Sequence, residues 1–155
     1  MGSLEVEGAT MSNLLARKLD QFTHLSAEER TMLDRAAAAQ VRRFAAGEDI
    51  IAEGEAPREI NLILSGWGCR YKQLEDGRRQ VVSFFLPGDM CDLNVFILKE
   101  MDHSIGTITP VAIADLSREF FEEVSAGYPR VATPGYCAIR RFERVVPICW
   151  NVETI

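Results

Sequence analysis

Apolar residues repeat at helical spacing near both ends of the chain. The first repeat predicts an amphipathic helix over Met11–Phe22, with an inward stripe of Leu14, Leu15, Leu19, Phe22 and the stem of Lys18. Ser26 and Glu29 have the spacing of a capping box, which predicts a second helix from there to about Ala37. Its inward residues are Met32, Leu33 and Ala36. Near the other end, Ser117 is placed to cap a helix over Arg118–Ser125, which Gly127 ends.

Between these helices the pattern changes to short β-branched and aromatic runs separated by turns. Asp76-Gly77 supplies the positive φ that a hairpin turn needs, so the runs on either side of it are expected to pair. The expected strands carry Val41 and Phe44, Ile50–Ile51, Ile60–Leu64, Trp67–Leu74, Arg78–Leu86, Ser104–Thr109 and Val111–Ala114. Many short strands turned by Gly and Pro predict a β-barrel or jelly roll, and the flanking helices make the fold α+β.

Composition is that of an ordinary globular protein, with 155 residues, 47% hydrophobic and 26% charged. No apolar run approaches the length of a membrane span. Residues 1–10 lack the basic start and apolar middle of a secretory signal and are expected to be disordered. These features predict one cytoplasmic domain without a membrane partner. The net charge of −6 is the wrong sign for a chain whose main task is to hold phosphate backbones.

The residues that could carry catalysis or bind a metal are few. The four cysteines, Cys69, Cys91, Cys137 and Cys149, are widely spaced and form no C-x-x-C pair, so buried or idle thiols are expected. The two histidines, His24 and His103, lie too far apart to build a cupin-type metal site. No nucleophile elbow, Walker loop or dinucleotide fingerprint occurs. We therefore expect no enzymatic activity and no cofactor.

A Pro87-Gly88-Asp89 turn opens a further motif. It is followed by a short apolar helix over Leu93–Leu98, a polar loop over Lys99–His103 and the strand that begins at Ser104. A helix N-terminus offers free backbone N–H groups to an anion, and an arginine facing it closes a bidentate grip on a phosphate. This is the layout of a phosphate-binding cassette.

An ordered series of motifs resembles the sensory domain of the Crp/Fnr family of bacterial transcription regulators. The series is Phe44-x-x-Gly47-Glu48, Glu53-Gly54, a strand ending in Gly66, Asp76-Gly77-Arg78 and Pro87-Gly88-Asp89. The resemblance covers about Leu15 to Ala126. It implies a double-stranded β-helix jelly roll like that of cyclic-nucleotide-binding domains, with the cassette inside the roll.

The resemblance also implies where an effector binds. Nucleotide-binding members carry Gly-Glu where this chain has Asp92-Leu93, and Arg-Ser or Arg-Thr where it has His103-Ser104. The missing glutamate would accept from the ribose and the missing arginine would pair with the cyclic phosphate, while Asp92 would repel it. The expected ligand-binding residues are Asp92, Leu93, Asn94, Val95, His103 and Ser104. We expect weak binding of cyclic AMP and cyclic GMP. His103 could be a pH-sensitive donor to a different anion, and the alternative is an exposed, solvated loop histidine.

The sequence does not determine which charged residues pair with the acidic residues of the cassette. Asp92 and Asp102 could pair with Arg42, Arg43 or Arg70, and solvated charges are the default alternative.

The domain organisation expected from these motifs is a sensory domain over 11–126 and a short tail over 127–155 that departs from the family. Thr133-Pro134 starts one tail helix with an apolar stripe from Ala138 to Val146, and Pro147 ends it. A winged helix-turn-helix needs on the order of 60 residues, more than follow Gly127. We therefore expect no specific DNA binding by this chain. Because the tail helix is short, we expect at most a weak homodimer, or a heterodimer with full-length relatives.

The function predicted from the sequence is effector sensing in a Crp/Fnr-type regulator, with an unknown small-molecule effector. One alternative is a stand-alone jelly-roll module that acts through protein association. A cupin-like enzyme is a third possibility, which the absence of clustered metal ligands disfavours.

Overall fold

The computed structural model describes residues 14–21, 23–91, 98–129 and 131. Within those residues, eight strands form two four-stranded antiparallel sheets. They are β1 (Val41–Phe44), β2 (Asp49–Ile51), β3 (Ile60–Ser65), β4 (Gly68–Gln73), β5 (Arg79–Phe85), β6 (Met90–Cys91), β7 (Ser104–Thr107) and β8 (Val111–Leu116).

The strand order shows why this arrangement is a jelly roll. One sheet runs β1-β8-β3-β6 and the other runs β2-β7-β4-β5. Val41 of the first strand pairs with Ala114 of the last, and Asp49 pairs with Gly106. Pairing between strands from opposite ends of the β-region, in two facing sheets, is the pattern of a jelly roll. The α+β jelly roll predicted from the sequence is confirmed.

The roll is flanked by the helices α1 (14–20), α2 (Ala27–Ala39) and α3 (Arg118–Gly127). The predicted capping box is present, because Ser26 Oγ accepts from Glu29 N at 3.2 Å and Ser26 N donates to Glu29 Oε2 at 2.6 Å. Ser117 caps α3 by accepting from Phe120 N at 3.2 Å. The two N-cap predictions are therefore confirmed.

The core is centred on the sheet that contains β3 and β8. All six residues of β8 are buried, as are the first five of β3. Helix α1 adds Leu15, Ala16 and Leu19 to this core, and α2 adds Leu33 and Ala37. Full burial of an aliphatic side chain contributes about 1.5–3 kcal/mol, so this doubly covered sheet anchors the domain.

The strand ends differ from the sequence-based expectation in a few places. Strand β7 ends at Thr107, because the N–H groups of Ile108 and Thr109 both turn to the Trp67 carbonyl. Strand β8 continues to Leu116, since its last residues pair with Ile60 and Asn61. Strand β6 was not predicted, because two residues after a turn carry no periodic pattern. The hairpin at Asp76-Gly77 is confirmed, with a φ of 86° at Gly77.

Several expectations fall on residues that the structure does not describe. They are the disordered segment 1–10, the cassette helix apart from Leu98, and the tail helix after Thr133.

Candidate functional site

The turn that leads into the cassette is held from three sides. Gly88 N donates to the Ile63 carbonyl at 2.7 Å, which fixes the turn against β3. Asp89 accepts from Leu86 N at 2.7 Å through one carboxylate oxygen and forms an ion pair with Lys18 of α1 through the other. The turn therefore sets where β6 enters the cassette.

The loop that leaves the cassette is fixed to the turn after β2. Met101 N donates to the Glu55 carbonyl, and Gly54 N donates to the Met101 carbonyl, both at 2.8 Å. The Met101 side chain is buried in the core. These two backbone hydrogen bonds hold Met101 in place. His103 and Ser104 follow two and three residues later, where β7 begins.

His103 is buried, with 8% of its surface exposed. Its Nδ1 lies 2.6 Å from Oδ1 of the exposed Asp102. This hydrogen bond is the main reason that the pKa of Asp102 lies below its ordinary value, with partial burial opposing it. The alternative of an exposed loop histidine is therefore wrong, because the loop folds the imidazole inward.

Ser104 joins a polar group with the neighbouring strands. Its Oγ accepts from Glu53 N at 2.9 Å, and it also hydrogen bonds with Tyr71. Tyr71 Oη donates to the Asp49 carboxylate, at 2.8 and 2.9 Å from its two oxygens. Burial is the main cause that raises the pKa of Tyr71, and the bond to Asp49 raises it further. The group ties β2, β4 and β7 together next to the cassette.

The structure identifies the ion-pair partners of two of the charged residues considered above. Arg42 pairs with Asp115 of β8, and Asp102 pairs with His103. Asp92, the other candidate partner, lies outside the described residues, together with Leu93, Asn94 and Val95. Of the predicted ligand-binding residues, the structure thus places His103 and Ser104 side by side at the start of β7.

Arg70 was not among the predicted ligand-binding residues. Its Cα pairs with that of Ile105 on β7, two residues after His103. Its guanidinium carbon lies 5.7 Å from the centre of the Phe85 ring, which belongs to the core. The sequence alternates Gly68, Cys69, Arg70 and Tyr71 without a hydrophobic stripe, so only the register reveals that Arg70 faces inward.

Comparison with known protein families gives a direct match. The model of the cyclic nucleotide-binding domain matches residues 41–128, which extend from β1 through α3. The chain belongs to the cyclic nucleotide-binding domain family. Its domain is of the Crp/Fnr type, as its regulatory relatives indicate.

Two curated relatives of this cyclic nucleotide-binding domain are nitrogen fixation regulation proteins FixK. The protein from Bradyrhizobium diazoefficiens is 33% identical over 87 residues, which are 56% of this chain and 31% of that protein. The one from Rhizobium meliloti is 30% identical over 117 residues, 74% of this chain and 54% of that protein. The chain thus spans between about a third and about half of these relatives.

A solved structure supports the fold independently. The cyclic nucleotide-binding domain from Methylobacillus flagellatus superposes with a TM-score of 0.69 at 17% identity. The match covers 86% of this chain and 76% of that one. At this level of identity, the similarity establishes the shared fold.

The described part of the domain holds no group of three or more His, Cys, Asp or Glu side chains that could bind a metal ion. The same residues include no helix long and apolar enough to cross a membrane. The Cys69 and Cys91 side chains are both buried, as expected. Burial is the main cause that raises the pKa of the Cys69 thiol, so little reactive thiolate forms near neutral pH.

Proposed function

We propose that this chain is the effector-sensing domain of a Crp/Fnr-type transcription regulator, with a cassette altered away from cyclic AMP. The observation that carries the proposal is the replacement of the cassette's two polar anchors within a matched cyclic nucleotide-binding domain. Leu93 stands at the position of the ribose acceptor, and His103 stands at the position of the phosphate-pairing arginine.

The geometry around His103 supports this proposal. A buried imidazole beside an acidic neighbour differs from a guanidinium, because its nitrogens cannot form a bidentate grip on a phosphate. Asp102 places a carboxylate oxygen 2.6 Å from Nδ1 of the imidazole, so a negative charge lies directly beside His103. Ser104 remains at the position expected for a phosphate contact, with its hydroxyl bonded to Glu53 N.

The biological role that follows is control of transcription in the cytoplasm in response to a small molecule. The family consists of regulatory binding domains, and we assign binding rather than catalysis to this chain. The proposed ligand-binding residues are Asp92 to Val95 together with His103 and Ser104. Self-association and DNA binding depend on residues after Val131, which lie outside the described part, and those expectations stay predictions.

Titration calorimetry with cyclic AMP and cyclic GMP tests the proposed change in ligand chemistry. Loss of a charged partner of a buried phosphate costs about 2–5 kcal/mol, which weakens a micromolar dissociation constant by roughly 30-fold to several thousand-fold, into the range from tens of micromolar to millimolar. We expect no saturable heat at micromolar nucleotide. A dissociation constant in the low micromolar range for either nucleotide would restore an ordinary nucleotide sensor and refute the altered cassette.

A further inference from the structure

A groove of about 690 Å³ lies between helices α2 and α3. Its apolar lining comes from Met32 and Ala36, which lie one turn apart on α2, and from Phe120 of α3. These three side chains pack against the core and are only partly buried. The two helices therefore present a strip of apolar surface on which a further element could pack.

Charged residues border this groove. Glu28 of α2 and Glu123 of α3 place two carboxylates along it, and Arg35 of α2 adds one guanidinium. Both glutamates are exposed. An apolar groove with a mainly acidic border favours an amphipathic helix that carries basic residues beside its apolar stripe.

The chain leaves α3 beside this groove. Tyr128 lines the groove and joins the two helices, because its N–H donates to the Val124 carbonyl at 2.8 Å and its hydroxyl donates to Glu28 Oε1 at 3.0 Å. Three residues later Val131 is buried in the core, and its N–H donates to the Tyr128 carbonyl at 2.9 Å. Because an extended chain spans at most about 3.6 Å per residue, a segment that starts at Pro134 begins within about 11 Å of Val131.

The sequence after Val131 has the chemistry that suits this groove. Residues 134–146 lie outside the described part of the chain, and their sequence predicts one helix with an apolar stripe of Ala138, Ile139, Phe142, Val145 and Val146. The same stretch carries three arginines and one glutamate, which are Arg140, Arg141, Arg144 and Glu143. Its charges are thus the inverse of those along the groove, where two carboxylates accompany one guanidinium.

We propose that the groove between α2 and α3 is the docking site of this chain's own segment 134–146. The apolar stripe covers the lining of the groove, and the arginines face Glu28 and Glu123. An isolated helix this short is marginal in water, so packing on the groove supplies the stability that the segment lacks alone. Because the segment is tethered beside the groove, it has a high effective concentration there and competes well against a second copy of the chain. This surface is separate from the effector site, and its role does not depend on the proposed sensing function.

Amide hydrogen exchange of the full chain, measured by mass spectrometry, tests the docking. We expect the amides of residues 134–146 to be protected from exchange, and the protection to stay constant on dilution because the contact is intramolecular. Glu123→Lys should lower this protection about threefold or more, since it replaces an attraction between exposed charges with a repulsion. Glu122→Lys is the matched control, because Glu122 is the exposed neighbour on α3 that does not line the groove. Its protection should equal that of the wild type.

A charge reversal in the segment keeps the test valid if Glu123→Lys fails to fold. The combined Arg140→Glu, Arg141→Glu and Arg144→Glu variant should lose protection as well, and adding Glu123→Lys should restore part of it. Wild-type amides of residues 134–146 that exchange as fast as those of an unfolded peptide overturn the proposal, as does an equal loss in Glu122→Lys. Protection that falls on dilution would place a second copy in the groove and would also overturn the intramolecular docking.

Discussion

Arg42 and Asp115 form a two-pronged ion pair between the first and last strands of the roll. Arg42 Nε and Nη2 lie 2.5 and 2.9 Å from the two carboxylate oxygens. The Asp115 side chain is only 1% exposed, and Asn61 Nδ2 donates to its Oδ1 at 2.7 Å. The pair therefore compensates a buried charge where β1, β3 and β8 meet.

Removing the guanidinium should destabilise the fold. Arg42→Met leaves the buried carboxylate without its cationic partner while Asn61 still donates to it, and we expect a loss of about 1–3 kcal/mol in the free energy of unfolding. We expect a modest loss because the Arg42 side chain is 43% exposed, so solvent screens its charge. Urea denaturation measures it. Arg43→Met, on the exposed neighbour, is the control, and equal losses in the two variants would contradict the assigned role of the ion pair.

Glu59 should make stability depend on pH. Burial is the main cause that raises its pKa, and the charge of Asp115 and a hydrogen bond with it raise the pKa further. A raised folded-state pKa means that the contribution to stability is complete below the ordinary value near 4.5 and is lost as pH rises through the folded value. Glu59→Gln mimics the protonated form, so its Tm should exceed that of the wild type at pH 7.

The pH profile of this variant supplies its own control. The advantage of Glu59→Gln should shrink as pH falls, and the two melting temperatures should converge by about pH 4, where the wild-type carboxyl is largely protonated. A difference in Tm that stays constant between pH 7 and pH 4 would show that the substitution acts through packing rather than through the proton.

Two glycines with similar backbone angles should respond differently to alanine. Gly66 and Gly77 have φ values of 80° and 86°. A Cβ at Gly66 would lie 2.0 Å from the Pro110 carbonyl oxygen, whereas a Cβ at Gly77 would meet nothing within 4 Å. The left-handed backbone conformation should lower the free energy of unfolding by about 1–2 kcal/mol in both alanine variants.

Gly66→Ala should therefore be the more damaging change. Overpacking adds about 1–3 kcal/mol to the backbone cost, so we expect Gly66→Ala to lose that much more unfolding free energy than Gly77→Ala. Chemical denaturation of both proteins measures the difference. Equal losses would mean that the β3–β4 connection relaxes around the methyl group without cost.

The fold was predictable from the sequence because its turns carry their own chemistry. Five glycines in the turns between strands have positive φ: Gly47, Gly54, Gly66, Gly77 and Gly88. The capping serines, Ser26 and Ser117, marked two helix starts for the same local reason. Such features depend on a few neighbouring residues, so they can be recognised in a single amino-acid sequence.

The inward position of Arg70 could not be predicted in this way. The face of a strand residue depends on register against distant strands, here the pairing of Arg70 with Ile105. A bulge shifts the pairing of β4 with β5 between Arg70 and Tyr71, which further obscures the alternation. Likewise, the burial of His103 follows from the backbone bonds between Met101 and Glu55, residues far apart in the sequence.

The central claim is that the roll keeps a cyclic-nucleotide-binding framework while the cassette has lost its nucleotide anchors. Titration calorimetry with cyclic AMP on the wild type and on the combined Asp92→Gly, Leu93→Glu and His103→Arg variant tests it most directly. We predict binding too weak to measure at micromolar nucleotide in the wild type. In the variant we predict a gain of at least about tenfold, since each restored charged hydrogen bond is worth about 1.5–3 kcal/mol. Low-micromolar binding by the wild type, or no gain in a folded variant, would contradict the account.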